Sequence, residues 1–216
     1  MLASMPVVRV TVLRDPFSWL ISKFFWMDPH HLGNGTVAIS DSGNPSWNNK
    51  RKMDWESKQG SPVSVVKCDD LDAAVVGWAS IRALLYIFYL CGEHCIGGWA
   101  DGSMTLADLE QQGTYNLRNS FAVVGILENT TEFYEMVSER VFYMNTALNP
   151  EVDGKKHTVP RTPEVRRCRE KFKMKDFQDA LLERSPPIAA LFRLYKIAIE
   201  VKEFQAKELA ECSAIL

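Results

Sequence analysis

The sequence predicts an α/β domain: a parallel sheet flanked by helices. Three observations lead there. Val7-Val8-Arg9-Val10-Thr11-Val12-Leu13 is an apolar, β-branched run of strand length. Phe121-Ala122-Val123-Val124-Gly125-Ile126 is a second such run. Helical patterning separates the two and continues after the second. At 216 residues, 46% of them hydrophobic, the chain suffices for one domain with a real core.

The first strand runs into Arg14-Asp15-Pro16 and then Phe17-Ser18-Trp19-Leu20-Ile21-Ser22. Pro16 suits a first helical turn, where its missing N–H is not needed, and Asp15 suits the cap. Arg14 then stands at the carboxyl end of the strand, and Ser22 one to two turns into the helix. A guanidinium beside a helix N-terminus is a ready site for an anion, phosphate above all. A plain strand-to-helix connection is the alternative reading.

Residues 28–62 are rich in Gly, Asn, Ser, Pro and charge, and read as a long mobile loop or insertion. Trp47 and Trp55 within it pin the loop to the body or line a cleft; the pinning role is the simpler one. His30-His31 has no carboxylates in a helical frame and reads as loop. Ala73 to Leu90 is the longest apolar run. Arg82 lies inside it, and Trp78, Ser80, Tyr86 and Tyr89 interrupt it, so a buried helix is expected rather than a membrane span.

Thr105 caps a helix from Leu106 to near Asn119, with Asp108 in its first turn. Gly125 marks a point where the strand passes something closely. Thr130 or Thr131 opens the next helix. Phe133, Met136, Val137, Val141 and Met144 form its core stripe, and Asn149-Pro150 ends it. A polar loop follows from Glu151 to Pro163. Residues 164–183 suggest one basic amphipathic helix or two short ones. Ser185-Pro186-Pro187 breaks the chain and starts a last helix, with Pro187 in its first turn. Ile188, Leu191, Leu194, Tyr195, Ala198, Ile199 and Val201 face the core. From Lys202 the sequence turns polar and the helix is expected to fray.

The formal net charge of −2 gives no support for a nucleic-acid partner. Lys50-Arg51-Lys52, Lys155-Lys156-His157 and Arg166-Arg167 read as solvated surface. Met1 to Pro6 lacks the basic start and apolar core of a signal peptide. Cys91 and Cys95, two of five cysteines, are close enough to pair. A zinc site calls for four ligands and only His94 is near, so no metal is expected. Asn34-Gly35-Thr36 and Asn129-Thr130-Thr131 are sequons that suit a lumenal protein.

Arg14, Pro16 and Ser22 match the 3′-phosphate-binding motif of sulfotransferases in type and spacing. Downstream, Tyr89-Leu90-Cys91-Gly92-Glu93-His94-Cys95 precedes Leu106-Ala107-Asp108-Leu109-Glu110-Gln111-Gln112-Gly113-Thr114-Tyr115-Asn116-Leu117, which precedes Phe121 to Glu128. This order resembles the membrane-type carbohydrate sulfotransferases, most of all the heparan sulfate and uronyl 2-O-sulfotransferase branch. There a Cys-Gly pair and a second Cys come before a "LEQAKxNL" helix and a "FxVVGxTE" strand. The resemblance covers most of the chain from Val7 to about Lys207, but not residues 28–66. Leu127 replaces the Thr of the strand-end motif.

The resemblance implies a P-loop-containing sulfotransferase fold and a single domain over residues 1–211, with an insertion at 28–62 and a tail at 212–216. It implies transfer of a sulfuryl group from PAPS (3′-phosphoadenosine 5′-phosphosulfate) to a carbohydrate hydroxyl, leaving PAP. Arg14 and Ser22 would hold the 3′-phosphate, and Lys156 and Arg161 are further candidate contacts, with a solvated loop as the alternative for the latter two. It also implies a Cys91–Cys95 disulfide, although the spacing is shorter than the family's, and a Golgi membrane protein anchored by a segment upstream of this chain. The family's 5′-phosphosulfate loop, with its Lys and Gly-Thr or Gly-Ser pair, has no counterpart here, and no residue matches its catalytic base. The expectation is therefore an N-terminally truncated or degenerate member. A non-catalytic binding or structural module is the alternative function.

Overall fold

The computed structural model describes residues 8–26, 31–32, 36–40, 63–67, 73–141 and 170–213. In chain order they form β1 (Val10–Leu13), α1 (Pro16–Trp26), β2 (His31–Leu32), β3 (Thr36–Ser40), β4 (Val63–Lys67), α2 (Ala73–Cys91), α3 (Glu93–Ala100), α4 (Leu106–Asn119), β5 (Val123–Ile126), α5 (Thr130–Arg140), α6 (Lys175–Arg184) and α7 (Pro186–Ser213). A short 3-10 turn, Leu127–Asn129, joins β5 to α5. Helix predominates, and the sheet content is small.

The chain forms two compact units. One draws on the described residues within Met1–Pro16, Leu85–Lys156 and Ala190–Leu216; the other on those within Phe17–Leu84 and His157–Ala189.

The first unit contains a two-stranded parallel sheet, β1 beside β5, in the register Val10↔Val123 to Leu13↔Ile126. The two strands read as buried runs; β5 is buried along its whole length, but in β1 only Leu13 is buried and Val10–Val12 are half-buried, since β1 has one paired neighbour in this sheet. Both are shorter than the apolar runs that predict them: Arg9 carries the pairing one step further, its carbonyl accepting from the Ala122 N–H at 2.8 Å. Leu13, Ile87, Leu90, Leu109, Leu117, Val124, Leu191, Leu194 and Ala198 are buried in this unit. A second cluster gathers Val123, Met136, Val137 and Val141, with Val8, Val10, Phe133 and Leu209 packed on it.

α4 begins and ends where its sequence signals lie. The Thr105 hydroxyl accepts from the Asp108 N–H at 3.3 Å, and Asp108 Oδ2 accepts from the Thr105 N–H at 2.7 Å. This reciprocal pair satisfies two donors that the first helical turn leaves without partners. The Thr105 hydroxyl also donates to Asp108, which holds that carboxyl below its ordinary range. Gly113 gives α4 its close approach: a Cβ there would stand 3.2 Å from Leu194.

The second unit contains β2, β3 and β4 as an antiparallel sheet, with β3 in the centre and paired to β4 from Thr36↔Lys67 to Ser40↔Val63. Residues 31–32 and 36–40 fall inside the stretch that the sequence marks as loop. Its turn-rich composition hides two short strands, which take their partners from each other and from Val63–Lys67. Phe17, Leu20, Ala79, Ala83, Phe172, Leu181 and Ile188 are buried in this unit. The Phe172 and Phe177 rings stand 4.9 Å apart. Ser185 is fully buried; its hydroxyl pairs with Ser80 Oγ at 2.7 Å and accepts from the Ile188 N–H, opening α7.

Two helical expectations change, and one open choice is settled. Residues 170–173 and α6 are separate helical pieces, parted at Met174, so the two-helix reading holds there. α5 stops at Arg140 rather than near Asn149: Val141 leaves helical geometry (φ −121°, ψ 73°) while remaining buried. α7 does not fray after Lys202 but runs to Ser213. Polar partners hold that end: Lys202 Nζ meets Glu132 at 2.7 Å and Arg140 meets Glu208 at 2.8 Å. No described helix is long and apolar enough to cross a membrane.

Candidate functional site

The parallel pair brings Arg14 and Glu128 together at the carboxyl ends of β1 and β5. Register fixes this: Leu13 pairs with Ile126, so the residues just beyond each strand emerge at the same end. Open parallel sheets place their ligands at that end. The Arg14 N–H donates to the Tyr86 hydroxyl at 2.8 Å, tying the β1–α1 turn to α2. The Asp15 N–H donates to Glu128 Oε1 at 3.2 Å. The Arg14 guanidinium approaches the same oxygen, Nε to Oε1, at 4.0 Å, with the two side chains 36% and 44% exposed. Tyr195 of α7 stands near enough to the group to feel the charges of Glu128 and Asp15.

The electrostatics are mixed. Burial pushes the Tyr86 phenol up to about 12, with the Arg14 N–H and guanidinium pulling the other way. Burial also pushes Tyr195 up to about 12, and the carboxylates of Glu128 and Asp15 add to the effect. Both phenols therefore stay neutral at ordinary pH and can donate or accept. One guanidinium stands among two carboxylates. A half-exposed cation at a strand end fits an anionic ligand, but Glu128 competes for it at contact distance. The residues fit a phosphate only in part.

Arg14 follows β1 directly and precedes α1. Ser22 lies within α1, seven residues into the helix, and its side chain falls outside the described residues. Lys156 and Arg161 also lie outside the described residues. The sequence does not single out Tyr86, Glu128 or Tyr195 as site residues: Glu128 stands in it as the acid that closes the strand motif, Tyr86 as an interruption of an apolar run and Tyr195 as a core residue.

The second constellation lies between α2 and α3. Cys91 and Cys95 are joined by a disulfide. His94 Nε2 stands 3.4 Å from Cys95 Sγ. Gly92 breaks the helix at φ +103°, a conformation that favours glycine. The Asn116 amide of α4 donates to the carbonyls of Leu90 and Cys91, each at 2.8 Å, and so fixes the end of α2.

At the amino end of β5 a groove of about 490 Å³ opens between Arg118, Phe121, Arg140, Phe204 and Gln205. Its cations already face carboxylates: Arg118 and Glu200 stand 3.8 Å apart, and Arg140 meets Glu208. Comparison with protein-family models, curated proteins and solved structures returns no match, so the function has to be argued from these residues themselves.

Proposed function

We propose that the β1–α1 turn binds the 3′-phosphate of PAPS and that the chain is part of a sulfotransferase acting on a carbohydrate hydroxyl. The observation that carries this reading is the position of Arg14: it ends a strand of a parallel pair, and the chain turns at once into α1. Such a position supports anion binding through the charge of the guanidinium and the dipole of the helix. Arg14, Pro16 and Ser22 supply the motif by which this anion is read as a 3′-phosphate. The sulfotransferase fold and the Golgi lumenal location belong to the same proposal.

The chemistry of transfer is not assigned to residues. No Gly-rich loop carrying a Lys into a helix occurs among the described residues, and none of them is assigned as the base. PAPS would supply the sulfuryl group. The part proposed for this chain is to hold and orient the nucleotide end and to neutralise its phosphate.

A second reading, a sulfotransferase-like module that binds without transferring, is favoured by Glu128. A carboxylate 4.0 Å from Arg14 weakens any phosphate held there.

The experiment is thermal unfolding with PAP, with 5′-AMP and with neither, on the chain and on Arg14→Ala. A ligand that binds the folded state raises the melting temperature by mass action. A rise with PAP, little with 5′-AMP, and loss of the rise in Arg14→Ala is expected. A charge-assisted arginine–phosphate bond contributes about 1.5–3 kcal/mol, so the variant should bind PAP roughly ten- to a hundredfold more weakly. Equal affinity in the two proteins would remove the proposal. PAP binding without sulfuryl transfer to any glycan would leave the module reading.

A further inference from the structure

We infer that Cys91, His94 and Cys95 form a redox-gated site for a soft divalent cation of the zinc type, closed by the disulfide and opened by its reduction. The donor atoms of these three residues all lie within 4.8 Å of one another. Two thiolates and an imidazole suit zinc and its neighbours rather than calcium or magnesium. Around tetrahedral zinc, with metal–sulfur bonds of roughly 2.3 Å, donors stand roughly 3.3–3.8 Å apart. His94 Nε2 and Cys95 Sγ are already 3.4 Å apart. Once the sulfur–sulfur bond is broken, side-chain rotation brings the third donor to such a spacing, since the Cα atoms are 6.0 Å apart.

The backbone is prepared for this. Asn116 holds the carbonyls of Leu90 and Cys91, and the Cys95 N–H bonds the Gly92 carbonyl at 3.1 Å, so the turn keeps its shape while the side chains move. The sulfurs belong to fully buried residues, and His94 is exposed. A cation therefore enters on the His94 side and keeps a solvent molecule as its fourth ligand, as three-ligand zinc sites do. The expectation of no metal rested on a need for four protein ligands. An open site needs three.

A phosphine reductant and one water convert the disulfide to two thiols, and the phosphine becomes its oxide. The cation then displaces both thiol protons to solvent and takes the neutral imidazole nitrogen as third ligand. A small-molecule disulfide reverses the change: it takes two electrons from the thiolates and two protons from solvent, leaves as two thiols, and the re-formed Cys91–Cys95 bond releases the cation. The phosphate end of the sheet plays no part in this chemistry.

The test uses Co²⁺ as a coloured probe and Zn²⁺ as its competitor. The chain carrying Cys68→Ser, Cys168→Ser and Cys212→Ser is reduced with a phosphine, freed of it anaerobically and titrated with Co²⁺. The expected result is one equivalent bound, with sulfur-to-cobalt charge-transfer absorption, bleached by Zn²⁺ and absent before reduction. His94→Ala in the same background should weaken binding by at least about tenfold. On the unsubstituted chain, Zn²⁺ should slow iodoacetamide labelling of Cys91 and Cys95 after reduction and leave Cys212 unaffected. This second measurement decides the matter if the serine variant fails to fold. Equal Co²⁺ binding by the oxidised chain, no thiolate charge transfer after reduction, unchanged affinity in His94→Ala, or unprotected Cys91 and Cys95 would each overturn the inference.

Discussion

Glu128 governs how well Arg14 can serve an anion. It holds the Asp15 N–H and stands beside the guanidinium, and it brings a negative charge to the place where a phosphate would sit. Glu128→Gln removes that charge and keeps an oxygen for the Asp15 N–H. The variant should bind PAP more tightly, by severalfold, in a calorimetric titration at low salt, and the gain should shrink as salt is raised. A variant that binds no better would show that the guanidinium and Glu128 do not share one ligand. Gly125 shows a single atom deciding packing at the same strand. A Cβ there would fall 2.7 Å from Phe133 Cγ and 3.0 Å from Phe133 Cβ, near the root of that side chain rather than its free end. Gly125→Ala should therefore destabilise by about 1–3 kcal/mol, as overpacking does, read from the midpoint of urea unfolding.

At the scale of elements, α7 takes the place of a strand along part of β5. Gln205 is buried, and its side-chain oxygen accepts from the Val124 N–H at 2.9 Å while its amide donates to the Phe121 carbonyl at 3.3 Å. An edge strand with unmet donors invites pairing with another chain, and one glutamine closes this edge. Gln205→Leu keeps the volume but strands a buried N–H, so a loss of about 1–3 kcal/mol is expected in denaturant unfolding. A neutral result would mean that water reaches β5. The same helix is tied to α4 by a two-pronged bond from Arg193 to Glu110, at 2.6 and 2.7 Å, which holds the guanidinium firmly charged. These links explain why the polar end of α7 stays helical where its sequence suggests fraying.

For the whole molecule, the pH dependence of stability follows from the two phenols. Folded, Tyr86 and Tyr195 lose their protons only near 12; unfolded, a tyrosine does so near 10. Between those values the unfolded chain binds fewer protons, so folding weakens as pH rises. Their contribution is fully present below pH 10 and is lost on the way to about pH 12. Ultraviolet titration should show a late-ionising phase, and Tyr86→Phe with Tyr195→Phe should remove it. A titration with no late phase, or one that the double variant leaves unchanged, would contradict the raised phenols.

The sequence by itself determined the local structure that rests on near neighbours. The cap at Thr105, the extent of α4, the start of α7 at the prolines and the presence of the two apolar strands all depend on residues within a few positions of one another. It also determined that Arg14 ends a strand and precedes a helix, because β-branched residues and a proline fix both. The tertiary structure alone decided the rest. Glu128 and Tyr195 reach Arg14's turn from 114 and 181 positions away, a closeness set by strand register and helix packing. Gln205 looks like an ordinary polar residue until β5 is laid beside it. Two strands of the antiparallel sheet vanish into a turn-rich stretch because pairing, and not composition, makes them strands. The α/β class was legible only coarsely, because periodicity is local while strand pairing is not: the parallel sheet has two strands, and the chain also forms an antiparallel sheet. The candidate site was legible only at Arg14, because charge partners are chosen by the way the chain packs.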